Sequence, residues 1–284
     1  MKTKVAIVYD FDKTLSTDDM QAFGFIQALG MEVDEFWNKC GEFGSQNNTD
    51  GILAYMYLTV KEMRDRNIKL TREYFYNCGK TVEFFKGVET WFDRINQFGR
   101  ENGVEVEHYV VSSGLTEIIE GTRIAKYFNK IFACYFVYDE SGVPVWPALA
   151  LNYTNKTQFI YRINKGIFGV RDNRVNEEMS HKDRYIPFSN IIYVGDSATD
   201  IPCMRMLYKY GGNAIGLYQP GTKNEKYLKD LVARERINFA TEADYSDGKG
   251  FDTIVKGIIQ KIKFQSTLEE IRENEIADGE DNND

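Results

Sequence analysis

Residues 5–9 form a continuous apolar run rich in branched side chains, and Asp10 ends it. That pattern marks a strand covered on both faces in a parallel sheet, because neither face is left for polar side chains. Two similar runs follow, at 109–111 ending in Ser112, Ser113 and Gly114, and at 191–194 ending in Gly195 and Asp196. Residues 115–128 and 157–168 carry helix-like periodicity. Strands alternating with helices predict an open α/β sheet, whose ligands bind beyond the carboxyl ends of the strands. All three polar clusters sit at that end.

Residues from about 16 to 105 read differently. Apolar and aromatic side chains recur there at three- and four-residue spacing, as in Met20, Phe23, Phe25 and Ile26 and then Ile52, Tyr55, Met56 and Leu58. No strong strand run interrupts them, so a mostly helical unit is expected, inserted after the first strand, with Thr49 or Asp50 capping one helix. Residues 132–153 read as a hairpin turning at 139–142, and 172–183 as an exposed excursion. The segment from about Ser266 begins helix-like and ends too acidic to bury, so its final residues are expected to be disordered. No internal repeat is present.

At 284 residues, 43% hydrophobic and 27% charged, the chain has room for two units and enough apolar surface to bury. Its net charge of -8, with no block of Lys or Arg, argues against a nucleic-acid partner. Cys40, Cys78, Cys134 and Cys203 form no CxxC pair, which points to neither a zinc site nor a disulfide framework and fits a reducing compartment. The apolar start is broken by carboxylates too soon for a signal peptide, and no run of about 18 apolar residues reads as a membrane span. A cytoplasmic location is expected, with no membrane partner.

Four clusters carry chemistry. Asp10, Phe11, Asp12, Lys13 and Thr14 give DxDxT directly after a strand; two carboxylates so spaced can act as nucleophile and proton donor, although acidic residues also end strands as turn formers. Ser112, Ser113 and Gly114 before a helix make a seat for an anion, or only a turn with a cap. Lys156 opens a helix, where a cation is disfavoured unless an anion accompanies it; Lys165 competes for that role. Gly195, Asp196, Ser197, Ala198, Thr199 and Asp200 offer hard oxygen ligands at a strand end, which suits magnesium, with Asp200 also placed to cap the helix opened by Ile201 and Pro202.

In this order the four clusters resemble the haloacid dehalogenase superfamily, over residues 4–14 and about 107–216. The resemblance implies an open three-layer Rossmann-like parallel sheet core, residues 1–15 and 106–284, with residues 16–105 as a helical cap. It implies a magnesium-dependent phosphatase in which Asp10 attacks the phosphoryl group to form an aspartyl-phosphate. Asp12 would protonate the leaving alcohol and then activate water. Ser112, with Ser113 and Gly114, and Lys156 would hold phosphoryl oxygens. The metal would be held by Asp10, the Asp12 main-chain carbonyl and Asp196, with Asp200 as a ligand or a partner orienting Lys156. The alternative register, in which the aspartate before LysThr is the nucleophile as in the similar P-type ATPases, would require membrane helices.

An insert between the first two motifs resembles the helical-cap subclass that includes phosphoserine phosphatases. Asp19 stands where those enzymes carry a glutamate that reads the substrate's amino group, and Arg64 and Arg66 are the candidates for gripping its carboxylate. The expected substrate is a small phosphorylated metabolite, with phosphoserine one option. Mutases of the family keep both aspartates, so phosphoryl transfer to a substrate remains a second option. A catalytically silent binding fold is a third, although the intact set Asp10, Asp12, Lys156 and Asp196 speaks against it. A phospho-receiver domain would carry its aspartate on a later strand. The aromatics Phe23, Phe36, Trp37, Phe43, Phe84, Phe85 and Trp91 are read as packing rather than a pocket, and His108 and His181 as structural.

Overall fold

The computed structural model describes residues 3–180 and 182–281. Seven strands form one sheet: β1 (Thr3–Tyr9), β2 (Val104–Leu115), β3 (Lys130–Tyr138), β4 (Pro144–Leu149), β5 (Ile191–Gly195), β6 (Asn213–Tyr218) and β7 (Phe239–Glu242), in the order β4-β3-β2-β1-β5-β6-β7. Every neighbouring pair is parallel except β3 with β4, the expected hairpin, which is antiparallel. The expected α/β fold is present, with β1 in the middle. Its residues Val5–Tyr9 are fully buried, which is why that stretch carries no polar side chain.

Helices cover both faces. α5 (Val88–Glu101) and α10 (Gly250–Asp281) lie on the face of Tyr9, where Trp91 packs against Phe251 and donates a hydrogen bond from Nε1 to the Tyr9 hydroxyl at 2.8 Å. α7 (Lys156–Lys165) and α8 (Ile201–Lys209) lie on the other, with Phe159 against Phe132 of β3. α9 (Lys223–Ala233) packs on β6 and β7.

Between β1 and β2 the chain is helical: α1 (Phe25–Ala28), α2 (Val33–Asn47), α3 (Gly51–Asp65) and α4 (Arg72–Gly79) precede α5. The chain leaves and returns through a two-stranded neck, where Thr17 N–H donates to Glu83 O and Phe85 N–H to Leu15 O, both at 3.0 Å. Phe25 packs edge-on against Phe36 and Phe75, so the insert has its own aromatic centre. Phe75 also stacks on Phe136 of β3 and ties that centre to the sheet. The aromatics expected to serve as packing do so: Phe36 and Trp91 are buried, and Phe23, Trp37, Phe43, Phe84 and Phe85 pack around the core. Asp50 caps α3, its Oδ1 accepting from the N–H groups of Ile52 and Leu53.

Three expectations need correction. The helix expected over 115–128 is only α6 (Thr116–Glu120), followed by a short 3-10 turn. It stops because α4 presses against it: a Cβ on Gly121 would stand 1.8 Å from the Tyr76 carbonyl, and one on Gly79 2.1 Å from the Ile118 carbonyl. Two glycines permit that approach, and local periodicity carries no trace of it. Ser112, Ser113 and Gly114 are not the lead-in to a long helix but the last part of β2, which runs on to Leu115 with a register shift against β3. Finally, α10 extends to Asp281, into the acidic end, because glutamate-rich sequence is a good helix former even where, over residues 268–276, it is exposed; the disorder expected of the final residues falls on 282–284. Residues 282–284 and His181 lie outside the described residues. The excursion expected over 172–183 is mostly exposed, with a single 3-10 turn at Asn173–Asn176.

Candidate active site

Register brings the polar clusters together. Tyr9 pairs with Val110 of β2 on one side and with Val194 of β5 on the other, so Asp10, Val111 and Gly195 come level at the carboxyl edge of the sheet. The chain then turns tightly after Asp10: the N–H groups of Leu15 and Ser16 both donate to the Phe11 carbonyl, at 2.9 and 3.1 Å, and Lys13 takes a positive φ of 55°. Phe11 is buried against Phe84, while Asp12 accepts the Met20 N–H on Oδ1 at 2.7 Å.

One oxygen from each of Asp10, Asp196 and Asp200 lies within 4.8 Å of the others. Lys156, the first residue of α7, reaches into this group with its Nζ 3.1 Å from Asp10 and 2.9 Å from Asp200. Its side chain is 1% exposed. Burial alone would favour a neutral amine, but the charges of Asp10 and Asp200 outweigh it and hold the ammonium above its ordinary range. Lys165 plays another part: its Nζ donates to the carbonyls of Val175 and Glu177 and holds the 172–183 excursion.

Asp200 stands at the N-cap position of α8 but does not use its side chain as a cap. Its Oδ1 accepts from Lys156 and from the Tyr193 hydroxyl at 2.7 Å, and its Oδ2 from the Ser197 hydroxyl at 3.0 Å and the Ser197 N–H. Gly195 is required beside it, since a Cβ there would come 2.6 Å from the Asp200 carboxyl carbon. Sequence reasoning missed Tyr193 as a partner; the available signal was a tyrosine hydroxyl in an otherwise apolar, two-face-buried strand.

The remaining carboxylates are crowded. Burial first, and then the charge of Asp200, push Asp10 up to about 7, against the pull of Lys156. Asp196 is raised to about 8 by burial and by Asp10 and Asp200. Asp12 is raised well above the usual carboxylate range by burial, Asp19 and Asp10. Asp10, Asp12, Asp196 and Asp200 outnumber the two lysines that bear on them, Lys156 and Lys13, and that excess of hard oxygen donors fits a divalent cation. Asp12, which accepts one backbone hydrogen bond among the described residues, is suited to carry and release a proton.

Ser112 is fully buried, and its Oγ accepts the Gly114 N–H at 3.0 Å. The Ser113 carbonyl accepts from the Tyr55 hydroxyl of α3 at 2.9 Å, while its own Oγ is buried without a partner among the described residues. The insert residues singled out from the sequence are placed differently. Asp19 pairs with Lys13 at 2.8 Å. Arg64 and Arg66 lie at the far end of α3 from Tyr55, paired with Asp65 and Glu62. His108 is a buried structural histidine, between the Tyr9 hydroxyl and Asn96 Oδ1. All four cysteines are buried with free thiols. Among the described residues, no helix is long and apolar enough to cross a membrane.

A sequence description of haloacid dehalogenase-like hydrolases matches residues 7–205. A protein of Borreliella burgdorferi, described as uncharacterized, is 28% identical over 271 residues, covering 86% of this chain and 92% of that one. Among solved structures, a haloacid dehalogenase family hydrolase of Salmonella enterica serovar Typhi superposes with a TM-score of 0.56 at 16% identity, over 88% of this chain and 69% of that one. A phosphoserine phosphatase solved as an analogue of its phospho-aspartyl intermediate gives 0.54 at 18% identity, over 90% of this chain and 99% of that one. At these identities the structural likenesses speak to the fold.

Proposed function

The chain belongs to the haloacid dehalogenase-like hydrolase family, and from that premise we propose that it is a magnesium-dependent phosphatase acting on a small phosphomonoester, with Asp10 as the nucleophile. The observation that carries this reading is the convergence of Asp10, Asp196 and Asp200 within 4.8 Å around the buried Lys156 ammonium. A divalent cation held by Asp10 and Asp196, together with the Asp12 main-chain carbonyl, would supply positive charge for the phosphoryl oxygens.

The chain's own groups divide the work. An Asp10 oxygen attacks phosphorus and forms an aspartyl-phosphate, while Asp12, in its acid form, gives its proton to the departing alcohol. Asp12, now ionised, takes a proton from water, and that water releases phosphate from Asp10. Lys156 and the Ser112 hydroxyl hold phosphoryl oxygens and offset the repulsion between an anionic nucleophile and a dianionic substrate, which at close range amounts to several kcal/mol. Asp200, fixed by Tyr193 and Ser197, positions Lys156.

The insert between β1 and β2 acts as the cap over this site and carries substrate contacts. The test is phosphate release from p-nitrophenyl phosphate with magnesium. Wild type turns over, and both Asp10→Asn and EDTA abolish the reaction; equal rates for wild type and Asp10→Asn overturn the assignment.

A further inference from the structure

The insert places a small set of polar groups beside Asp12 that the catalytic steps leave unused. Gln21 follows the residue whose N–H binds Asp12; it is 2% exposed, and its Oε1 has no partner among the described residues. Tyr55, also buried, has Gln21, Cys134 and Asp12 as hydrogen-bonding or electrostatic neighbours of its hydroxyl. Ser113, whose carbonyl that hydroxyl binds, keeps its own Oγ buried and unpartnered among the described residues. The next residue, Gly114, is close enough to Asp12 that a Cβ would stand 3.2 Å from its Oδ2. Buried polar atoms without partners are uncommon and costly. Two such atoms, on the residues adjoining Met20 and Gly114 that touch the proton donor, mark where the polar atoms of a leaving group belong.

The surrounding charges indicate what kind of leaving group. Asp19, the position expected to read an ammonium, is paired with Lys13, which also pairs with Asp18. The three arginines between residues 17 and 83 pair with acidic side chains: Arg64 with Asp65, Arg66 with Glu62 and Arg72 with Glu120. Arg64 lies nine residues beyond Tyr55, about 14 Å along α3. A substrate carboxylate beside Gln21 would therefore be repelled by Asp10 and Asp12, while each arginine of residues 17–83 is already paired with an acidic side chain. Neutral groups that donate and accept hydrogen bonds suit a neutral, hydroxyl-bearing ligand.

We propose that Gln21, Tyr55 and Ser113 form the leaving-group subsite, and that it selects an uncharged polyhydroxylic alcohol, as in a polyol or sugar phosphate, over a phosphorylated amino acid. The Gln21 carbonyl accepts from a substrate hydroxyl, and the Ser113 hydroxyl serves a second one. This proposal rests on the phosphomonoesterase reading above.

The test compares kcat/KM of the magnesium-loaded full chain for glycerol phosphate, a hexose phosphate, phosphoserine and p-nitrophenyl phosphate. Wild type is expected to favour at least one of the two neutral alcohols over phosphoserine by about tenfold or more. In Gln21→Leu and, separately, Tyr55→Phe, the ratio of the preferred neutral substrate to p-nitrophenyl phosphate is expected to fall about fivefold to tenfold, mainly through KM, as loss of one hydrogen bond between neutral groups implies. A preference for phosphoserine, or an unchanged ratio in both variants, overturns the subsite while leaving the phosphatase intact. No phosphate release from any of the four substrates overturns the phosphatase reading and the subsite with it.

Discussion

The Lys156 ammonium and the Asp200 carboxylate form an ion pair of 2.9 Å with both side chains sealed from solvent. Asp200 holds its orientation through Tyr193 and Ser197, so Lys156 is presented to Asp10 from a fixed anion rather than from a mobile side chain.

Asp200→Asn is therefore expected to act on both stability and rate. Breaking a buried pair from one side typically costs about 3–5 kcal/mol, and Asp10 remains to offset part of it, so a loss in the lower part of that range is expected. Loss of orientation of Lys156 should lower kcat by about 10- to 100-fold, as removal of groups that orient a site's ligands commonly does. Urea unfolding and steady-state kinetics check the two effects; a variant as stable and as active as wild type would mean that Asp200 does not position Lys156.

Asp196 gives the opposite sign. It is repelled by Asp10 and Asp200 and raised to about 8, so its ionised form is a burden on the metal-free fold at neutral pH. Asp196→Asn is expected to stabilise the metal-free protein by about 1–2 kcal/mol, discounted for its partial exposure. Saturating magnesium should stabilise wild type more than the variant. Thermal unfolding with EDTA and with magnesium measures both differences.

His108 controls part of the response to acid. Burial lowers it to about 3, against an ordinary value of 6.5. Below 6.5 the unfolded chain therefore binds a proton that the folded chain refuses. Stability contributed by the neutral ring is complete above pH 6.5 and is lost as pH falls toward 3, at up to about 1.4 kcal/mol per pH unit. The raised carboxylates of Asp10, Asp12 and Asp196 slope the other way, so the informative quantity is a difference between proteins. Between pH 6.5 and 5, wild type should lose about 2 kcal/mol more than His108→Gln, measured by urea unfolding.

Much of the site was legible because chemistry and periodicity coincide there. The fully buried Val5–Tyr9 of β1 form an uninterrupted apolar run, so Asp10 stood out as its end, and parallel register then forced Asp10 and Asp196 together. Lys156 was legible as a cation at the start of a helix, although only the tertiary structure separates it from Lys165. What could not be read were features made by distant contacts. α6 is cut short by α4 approaching across Gly79 and Gly121. Asp200 looks like a helix cap, yet its oxygens are taken by Lys156, Tyr193 and Ser197. Arg64 and Arg66 have the right chemistry for a carboxylate, and the fold pairs them with Asp65 and Glu62 at the end of α3 away from Tyr55. Gln21 and Tyr55 carry no motif, and their relation to Asp12 arises only from the fold of the insert.

The central claim is that phosphorus becomes bonded to Asp10. Borohydride reduces an aspartyl-phosphate to homoserine, so the most direct measurement is peptide mass spectrometry of protein quenched during turnover and reduced. Asp12→Asn, which slows both proton transfers by about 100-fold or more, should be examined alongside to change the amount trapped. Homoserine at position 10, present only with substrate and absent from Asp10→Asn, is the predicted result. Homoserine at position 12, or rapid turnover with position 10 never modified, would contradict the account.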